Sequence, residues 1–451
     1  MTEIIKQKLN EKAWARWTAM ILVSFTMMCG YFMTDVISPL EDMLIKTGWS
    51  SSEYGFFAGS YGFINVFLLM LFFGGLILDK MGIRFTGVMS ASLMLAGAMI
   101  KYFAISTTFD PSDMIFGMHT QVIFTSMGFA IFGVGCEISC ITVSKVIVKW
   151  FTGRELALAM GLQVAMARIG TAAALGFSLP VAKAMGSIAA PVMMGAIALC
   201  IGLIFYLVYC VLDKKMDDSV AAFNEEKEEG FKMKDLQLIF CNKGFWLITI
   251  LCLLFYSAVF PFLKFATKLM IYKYHVDPEL AGLIPAMLPF GTILLTPVFG
   301  TLYDRIGRGA TLMIIGSVLL TTVHILFALP VLNTWWFAVI VMIILGIAFS
   351  LVPSAMWPSV PKIIPMKQLG SAYAIIFYIQ NIGLSMVPML IGWIINDFST
   401  TKNTDGTLSY DYTIPMAIFA CFGVLAIIVA YILKAEDRKK QYGLEQANIK
   451  K

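Results

Sequence analysis

The chain has 451 residues, of which 59% are hydrophobic and 14% charged, with a mean hydropathy of +0.82 and a formal net charge of +5. Soluble domains carry roughly 25% charged residues, so a water-soluble globular fold is excluded. Apolar runs of 18 or more residues recur, and the alternating pattern of a membrane barrel is absent, so the expected class is an all-α integral membrane protein.

In chain order the runs predict twelve spans, at 17–38, 53–78, 83–105, 121–149, 156–182, 189–212, 244–266, 279–302, 310–330, 336–360, 369–396 and 412–434. The first is too long for a cleaved signal peptide, and no small-residue cleavage site follows it. If the N-terminus is cytosolic, the segments on that side hold 24 of the 33 Lys and Arg residues. This bias predicts both termini in the cytosol; a cell-membrane location is expected. It also accounts for the net charge, which gives no sign of a nucleic-acid partner.

Cofactor and enzyme chemistry leave no mark. The eight cysteines lie in or beside spans with no CxxC spacing and read as small core residues. The three histidines are scattered. No P-loop, metal spacing or Ser/His/Asp set occurs. No Asn-x-Ser/Thr acceptor occurs either, which suits an unglycosylated membrane protein.

The informative residues are polar ones at depth. The first span carries Tyr31 and Asp35, and the second carries Tyr61 and Asn65. The fourth reads FGVGCEISC around Glu137, and the fifth carries Arg168. Helix rise is about 1.5 Å per residue. Glu137 therefore lies roughly 18 Å above Lys149, and Arg168 roughly 20 Å above Glu155, in a hydrocarbon core about 30 Å thick. Both charges fall near the midplane on consecutive helices. Tyr256 on the seventh span and Gln380 and Asn381 on the eleventh reach similar depth. Intramembrane charges mark functional sites by default; the alternative is a permanent Glu137–Arg168 ion pair fastening two helices. Asp35, Lys264 and Lys268 lie farther out, as an outer gate or as solvated and snorkelling ends. Trp357 and Pro358 are expected to shape the tenth span near its cytosolic end.

The chain repeats itself. GGLILDKMGIR (74–84) and FGTLYDRIGR (299–308) each end one span and begin the next. Gly75 and Gly300 are expected to permit close helix approach, and Gly82 and Gly307 the turn. RELALAMGLQVAMARIG (154–170) aligns with KQLGSAYAIIFYIQNIG (367–383), with Arg168 on Asn381. The expected organisation is a six-helix half over 1–212, a charged cytosolic connector over 213–243 that is part helix at the surface, and a second half with a cytosolic tail over 244–451. Parallel repeats of this kind bind solutes between the halves near the midplane.

Twelve spans, two halves and the doubled G-x-L-x-D-[KR] turn resemble the major facilitator superfamily. YFMTD (31–35), WFTGRELALAMGL (150–162), AMARIG (165–170), FYSAVFPF (255–262), MWPSV (356–360) and IQNIG (379–383) are similar to segments of the lysosomal dipeptide uniporters of animals. The resemblance implies an alternating-access carrier working by facilitated diffusion. Arg168 would hold a substrate carboxylate and Glu137 its ammonium group, with Tyr31, Tyr61, Asn65, Tyr256, Gln380 and Asn381 around the peptide bond. Empty, the two charges are expected to neutralise each other. It further implies that Asp79, Arg84, Arg154, Asp304 and Arg308 lock the cytosolic face in the outward-open state. Other readings are an anion porter, with or without proton coupling, which needs Arg168 but not Glu137, and a non-transporting sensor or assembly subunit. The resembling uniporters associate with an accessory subunit; nothing in this sequence indicates a partner beyond a small solute and the bilayer.

Overall fold

A computed structural model describes residues 9–110, 112–151, 155–220, 239–330, 332–365, 369–403 and 408–447. Among these, eleven helices are long and apolar enough to cross a membrane. In chain order the helices are α1 (Ala13–Asp35), α2 (Glu41–Lys46), α3 (Ser51–Ser60), α4 (Phe63–Phe67), α5 (Met70–Ser106), α6 (Thr120–Phe151), α7 (Leu156–Ala184), α8 (Ala189–Val220), α9 (Lys243–Tyr272), α10 (Leu283–Ile306), α11 (Gly309–Ala328), α12 (Trp335–Ile363), α13 (Leu369–Phe398) and α14 (Thr413–Lys440). Two short antiparallel hairpins, β1 (Met114–Ile115) with β2 (Met118–His119) and β3 (Thr400–Lys402) with β4 (Leu408–Tyr410), lie in loops between spans.

The twelfth crossing is the second in the chain, and it is broken. The apolar run predicts one helix over 53–78; the structure divides it into α3, α4 and the first turns of α5. Leu69, between α4 and α5, has φ +54°, a left-handed conformation that ends a helix. The breaks are braced by neighbours. A side chain at Gly133 of α6 would stand 2.0 Å from the Tyr61 carbonyl, and one at Gly62 would stand 2.0 Å from Ser385 Oγ. Only glycine lets the irregular backbone come this close. The freed carbonyl of Val66 accepts a hydrogen bond from Tyr378 of α13 at 3.2 Å, as bilayer burial of backbone requires.

The repeated turns behave as their glycines predict in one respect and not in another. Gly82 has φ +78° and Gly307 φ +73°, so both reverse the chain in a conformation other residues avoid. Gly75 and Gly300 do not bring helices together in this state, since nothing lies within 4 Å of where a Cβ would stand.

That difference reports the shape of the molecule. The two halves meet through α3 against α13 and α7 against α10. Toward the face away from the termini, here the far face, these pairs touch backbone to backbone. A Cβ at Gly55 would lie 2.6 Å from the Pro388 carbonyl, one at Gly59 2.2 Å from the Ser385 carbonyl, and one at Gly282 2.0 Å from the Leu175 carbonyl. Toward the terminal face they part. Gly161 and Gly291 have open space around them, and Leu294 and Val298 are exposed. The molecule is closed at its far face and open toward the face that carries the termini.

Each half ties its own terminal-face ends together. In the first half, Asp213 is fully buried and accepts from Lys149 Nζ at 2.9 Å, Trp150 Nε1 at 3.0 Å, Tyr209 Oη at 3.1 Å and Arg84 Nη1 at 3.2 Å. In the second half the segment after α14 does this work. Leu444 is buried, its carbonyl accepts from Gly309 N at 2.8 Å, and Glu445 accepts from Thr311 N at 2.9 Å at the start of α11, where a carboxylate is favoured. The helix α8 continues to Val220; the rest of the expected connector helix, over 221–238, lies outside the described residues.

Two outcomes follow. Gly59→Leu is expected to push the far face open, raising the alkylation rate of a cysteine placed at buried Ser51. Asp213→Ala leaves four donors around an empty site and is expected to cost about 3 kcal/mol, read as a lower unfolding temperature in detergent.

Candidate functional site

The sequence carries one carboxylate and one guanidinium to the midplane, and the structure keeps them apart. Glu137 lies on α6 one helical turn beyond Gly133, so both face the broken second span. Gly133 admits the Tyr61 backbone and Glu137 takes the Tyr61 hydroxyl, which donates to Oε1 at 2.8 Å. The Asn381 carboxamide from α13, in the other half, also approaches the Glu137 carboxylate. Asn65, fully buried, donates from Nδ2 to the Gly133 carbonyl at 3.2 Å. Tyr61, Asn65, Glu137 and Asn381 thus form one cluster spanning the interface.

Arg168 forms a second cluster. Its guanidinium carbon lies 5.9 Å from the Tyr31 ring centroid, 5.3 Å from that of Phe260 and 5.2 Å from that of Phe349. These contacts hold a cation by the negative faces of three rings and leave its N–H donors uncommitted to a carboxylate. Among the described residues Arg168 has no ion pair with Glu137. The expected mutual neutralisation, and the permanent pair fastening two helices, are therefore not what the structure contains. Geometry explains this: the acid is drawn toward the second span by Tyr61, the base toward the second half by aromatic faces.

That aromatic wall was only partly visible in the sequence. Tyr256 was singled out there; Phe260 and Phe349 were not. Trp357 donates from Nε1 to the Tyr256 hydroxyl at 3.1 Å, and its ring lies tilted to that of Phe377 with centroids 5.1 Å apart. Pro361 explains part of this placement. Lacking an N–H, it cannot bond the carbonyl four residues back, and Tyr373 Oη supplies the missing donor to Trp357 O at 3.3 Å. The i, i+4 spacing of Trp357 and Pro361 was the available signal. Tyr31 meets Cys140 through its hydroxyl at 3.8 Å. Gln380 is buried on α13 beside Asn381.

The far face carries the outer charges. Lys264 Nζ meets Asp35 Oδ1 at 2.6 Å and also donates to Thr34 O at 2.9 Å. Lys268 does not join Asp35. It pairs with Glu41 at 3.2 Å, donates to Ser51 Oγ at 3.3 Å and stands 3.8 Å from the Tyr410 ring centroid. Both side chains of the Lys268–Glu41 pair are 1% exposed. Both ion pairs cross between the halves, because Asp35 and Glu41 come from the first and the lysines from α9. Glu41 was missed because it follows the first apolar run and read as a loop residue. Tyr54 Oη adds a third crossing, to Lys264 O at 2.8 Å.

At the terminal face, two of the expected lock residues bond within their own half. Arg84 turns to its own half, bonding Asp213 at 3.2 Å and Asp217 at 2.7 Å. Arg308 has φ +62° and an exposed side chain, with its backbone N–H on Glu445 O. Asp304 is half-buried. Arg154 and the Asp79 side chain lie outside the described residues.

The sequence pattern of the major facilitator superfamily matches residues 20–272 and again 262–449. The lysosomal dipeptide transporter MFSD1 of Bos taurus is 27% identical over 396 residues, covering 84% of this chain and 80% of the relative. The Danio rerio protein of that name is 28% identical over 441 residues, covering 95% and 88%. Among solved structures, a bacterial homolog of the human lysosomal transporter Spinster in an inward-facing state superposes with a TM-score of 0.70 at 12% identity, over 95% of this chain and 98% of the other. The nucleoside transporter NupG superposes at 0.66 with 16% identity, over 93% and 99%. These two show the shared fold. The matched pattern spans nearly the whole chain, once per half, and the chain is a transporter of the major facilitator superfamily.

Proposed function

We propose that this protein carries small zwitterions across a membrane by alternating access, with dipeptides as the substrate, and that it works as a uniporter. The observation that carries the reading is the separation of Glu137 and Arg168. A half-buried acid and a half-buried base that do not satisfy each other are matched to a ligand with an ammonium group at one end and a carboxylate at the other. Arg168 offers a planar fork suited to a carboxylate, already oriented by Tyr31, Phe260 and Phe349. Glu137, held by Tyr61, faces the amine. Asn65, Asn381, Gln380, Tyr31 and Tyr256 contribute neutral polar atoms, which suit a peptide bond and ask nothing of the side chains. The names of the relatives support the same substrate class.

The ion pairs Asp35–Lys264 and Glu41–Lys268 act as the far-face gate. The cluster of Asp79, Arg84, Arg154, Asp304 and Arg308 acts at the terminal face when that face closes. The Lys and Arg bias supports a cytosolic terminal face in a cell-membrane protein, and on that reading the open face is the inward one. The halves 1–212 and 244–451, joined by 213–243, are the bodies that rock. An anion porter is the competing reading, and it makes Glu137 dispensable.

Purified protein in detergent, screened by thermal shift against dipeptides, tripeptides, free amino acids, nitrate and small carboxylates, tests this. A dipeptide at one hundred times its dissociation constant is expected to stabilise the fold by about 2.7 kcal/mol. Glu137→Gln is expected to abolish that shift. Arg168→Lys, which keeps charge but loses the fork, is expected to weaken binding about tenfold or more. Stabilisation by anions alone, unaffected by Glu137→Gln, would sink the zwitterion reading.

A further inference from the structure

One fully buried cation takes no part in the site or in the ion pairs above. Lys101 lies on α5 with 0% exposure. Its Nζ donates to the Met33 carbonyl at 2.8 Å and stands 4.6 Å and 5.6 Å from the ring centroids of Phe129 and Phe132. The next carbonyl along α1, that of Thr34, is the one bonded by Lys264, whose ammonium also holds Asp35 and lies 5.8 Å from the same Phe129 ring. Lys101, Lys264 and Asp35 are electrostatic neighbours. Two lysine side chains, one from each half, therefore bond successive carbonyls of the last turn of α1, beside Asp35.

A helix C-terminus favours one cation. A second, buried among phenylalanines and facing the first, is costly, and an apolar residue of similar length would fill the space more cheaply. The cost is explained by what happens when the far face opens. Lys264 belongs to α9 and leaves with the second half. Asp35 and Lys101 stay together, because α1 and α5 belong to the first. Without Lys101 the departing lysine would leave the Asp35 carboxylate with no cation beside it.

We propose that Lys101 is the standby partner of Asp35, taking over its carboxylate when Lys264 withdraws, and so permitting the far face to open. Lys101 is then a positioning residue that acts through Asp35 and never touches substrate. The inference rests on the alternating-access reading above.

The test measures the far-face opening by electron–electron distances. Spin labels go on cysteines at Ser106 and Asn333, which are exposed at that face in opposite halves, in a background lacking the exposed Cys200, Cys241 and Cys421. The wild-type chain in lipid is expected to show a short and a long distance. Lys101→Met should reduce the long-distance population at least tenfold, and Lys101→Arg should keep it. The decisive variant is Lys101→Met combined with Asp35→Asn, which removes the stranded charge and should restore the long distance. If Lys101→Met fails to fold, Lys101→Gln, which keeps a donor for Met33 without the charge, carries the same expectation. A merely structural lysine would lower stability in the single and double variants alike and leave the populations unchanged, overturning the assignment. A wild-type distribution with the short distance alone would overturn alternating access together with it.

Discussion

A charge within hydrocarbon must be paired, caged or placed where water reaches it, and the arrangement of this protein follows from how that constraint is met at each depth. At the far face acid meets base across the halves, through Asp35–Lys264 and Glu41–Lys268. These pairs are nearly dry, so breaking them by moving one partner is expensive unless another group replaces it. At the midplane the acid and base are met separately, by a tyrosine hydroxyl and by aromatic faces. At the terminal face Arg84 and Lys149 find partners within their own half.

The two halves have kept one architecture and divided the chemistry. The first contributes both midplane charges. The second contributes rings, with Asn381 standing where the repeat places Arg168. Prolines in α12 contribute to this division. Pro353, Pro358 and Pro361 each remove a backbone donor, and a tyrosine hydroxyl from α13 repairs the loss at Trp357. The wall that orients Arg168 is thus supported by groups recruited to satisfy a proline helix.

The terminal-face turns show the same divergence. Gly82 and Gly307 reverse the chain alike, yet Arg84 reaches a buried aspartate on α8 whereas Arg308 leaves that role to the segment after α14. Asp437 of α14 accepts from Leu444 N at 3.0 Å, so an aspartate late in the last helix of each half anchors its surroundings through different donors.

Much of this could be read from residues alone. Hydropathy is set by composition, so the class and the number of crossings were legible, as was the duplication, because a turn with Gly, Asp and Arg at fixed spacing needs no partner to be recognised. The place of Glu137 and Arg168 midway along their helices was legible because helix rise is constant. What the sequence could not settle is which groups face each other. The break at Tyr61–Gly62 depends on Gly133 and Ser385, distant in the chain. Glu41 looks like a loop residue until Lys268 is folded against it, and Lys101 like a snorkelling end until Phe129 and Phe132 close over it. Glu137 and Arg168 lie at equal depth on consecutive helices, and depth suggested a pair. Rotation about each helix axis, set by packing against the rest of the bundle, decided that they stay apart.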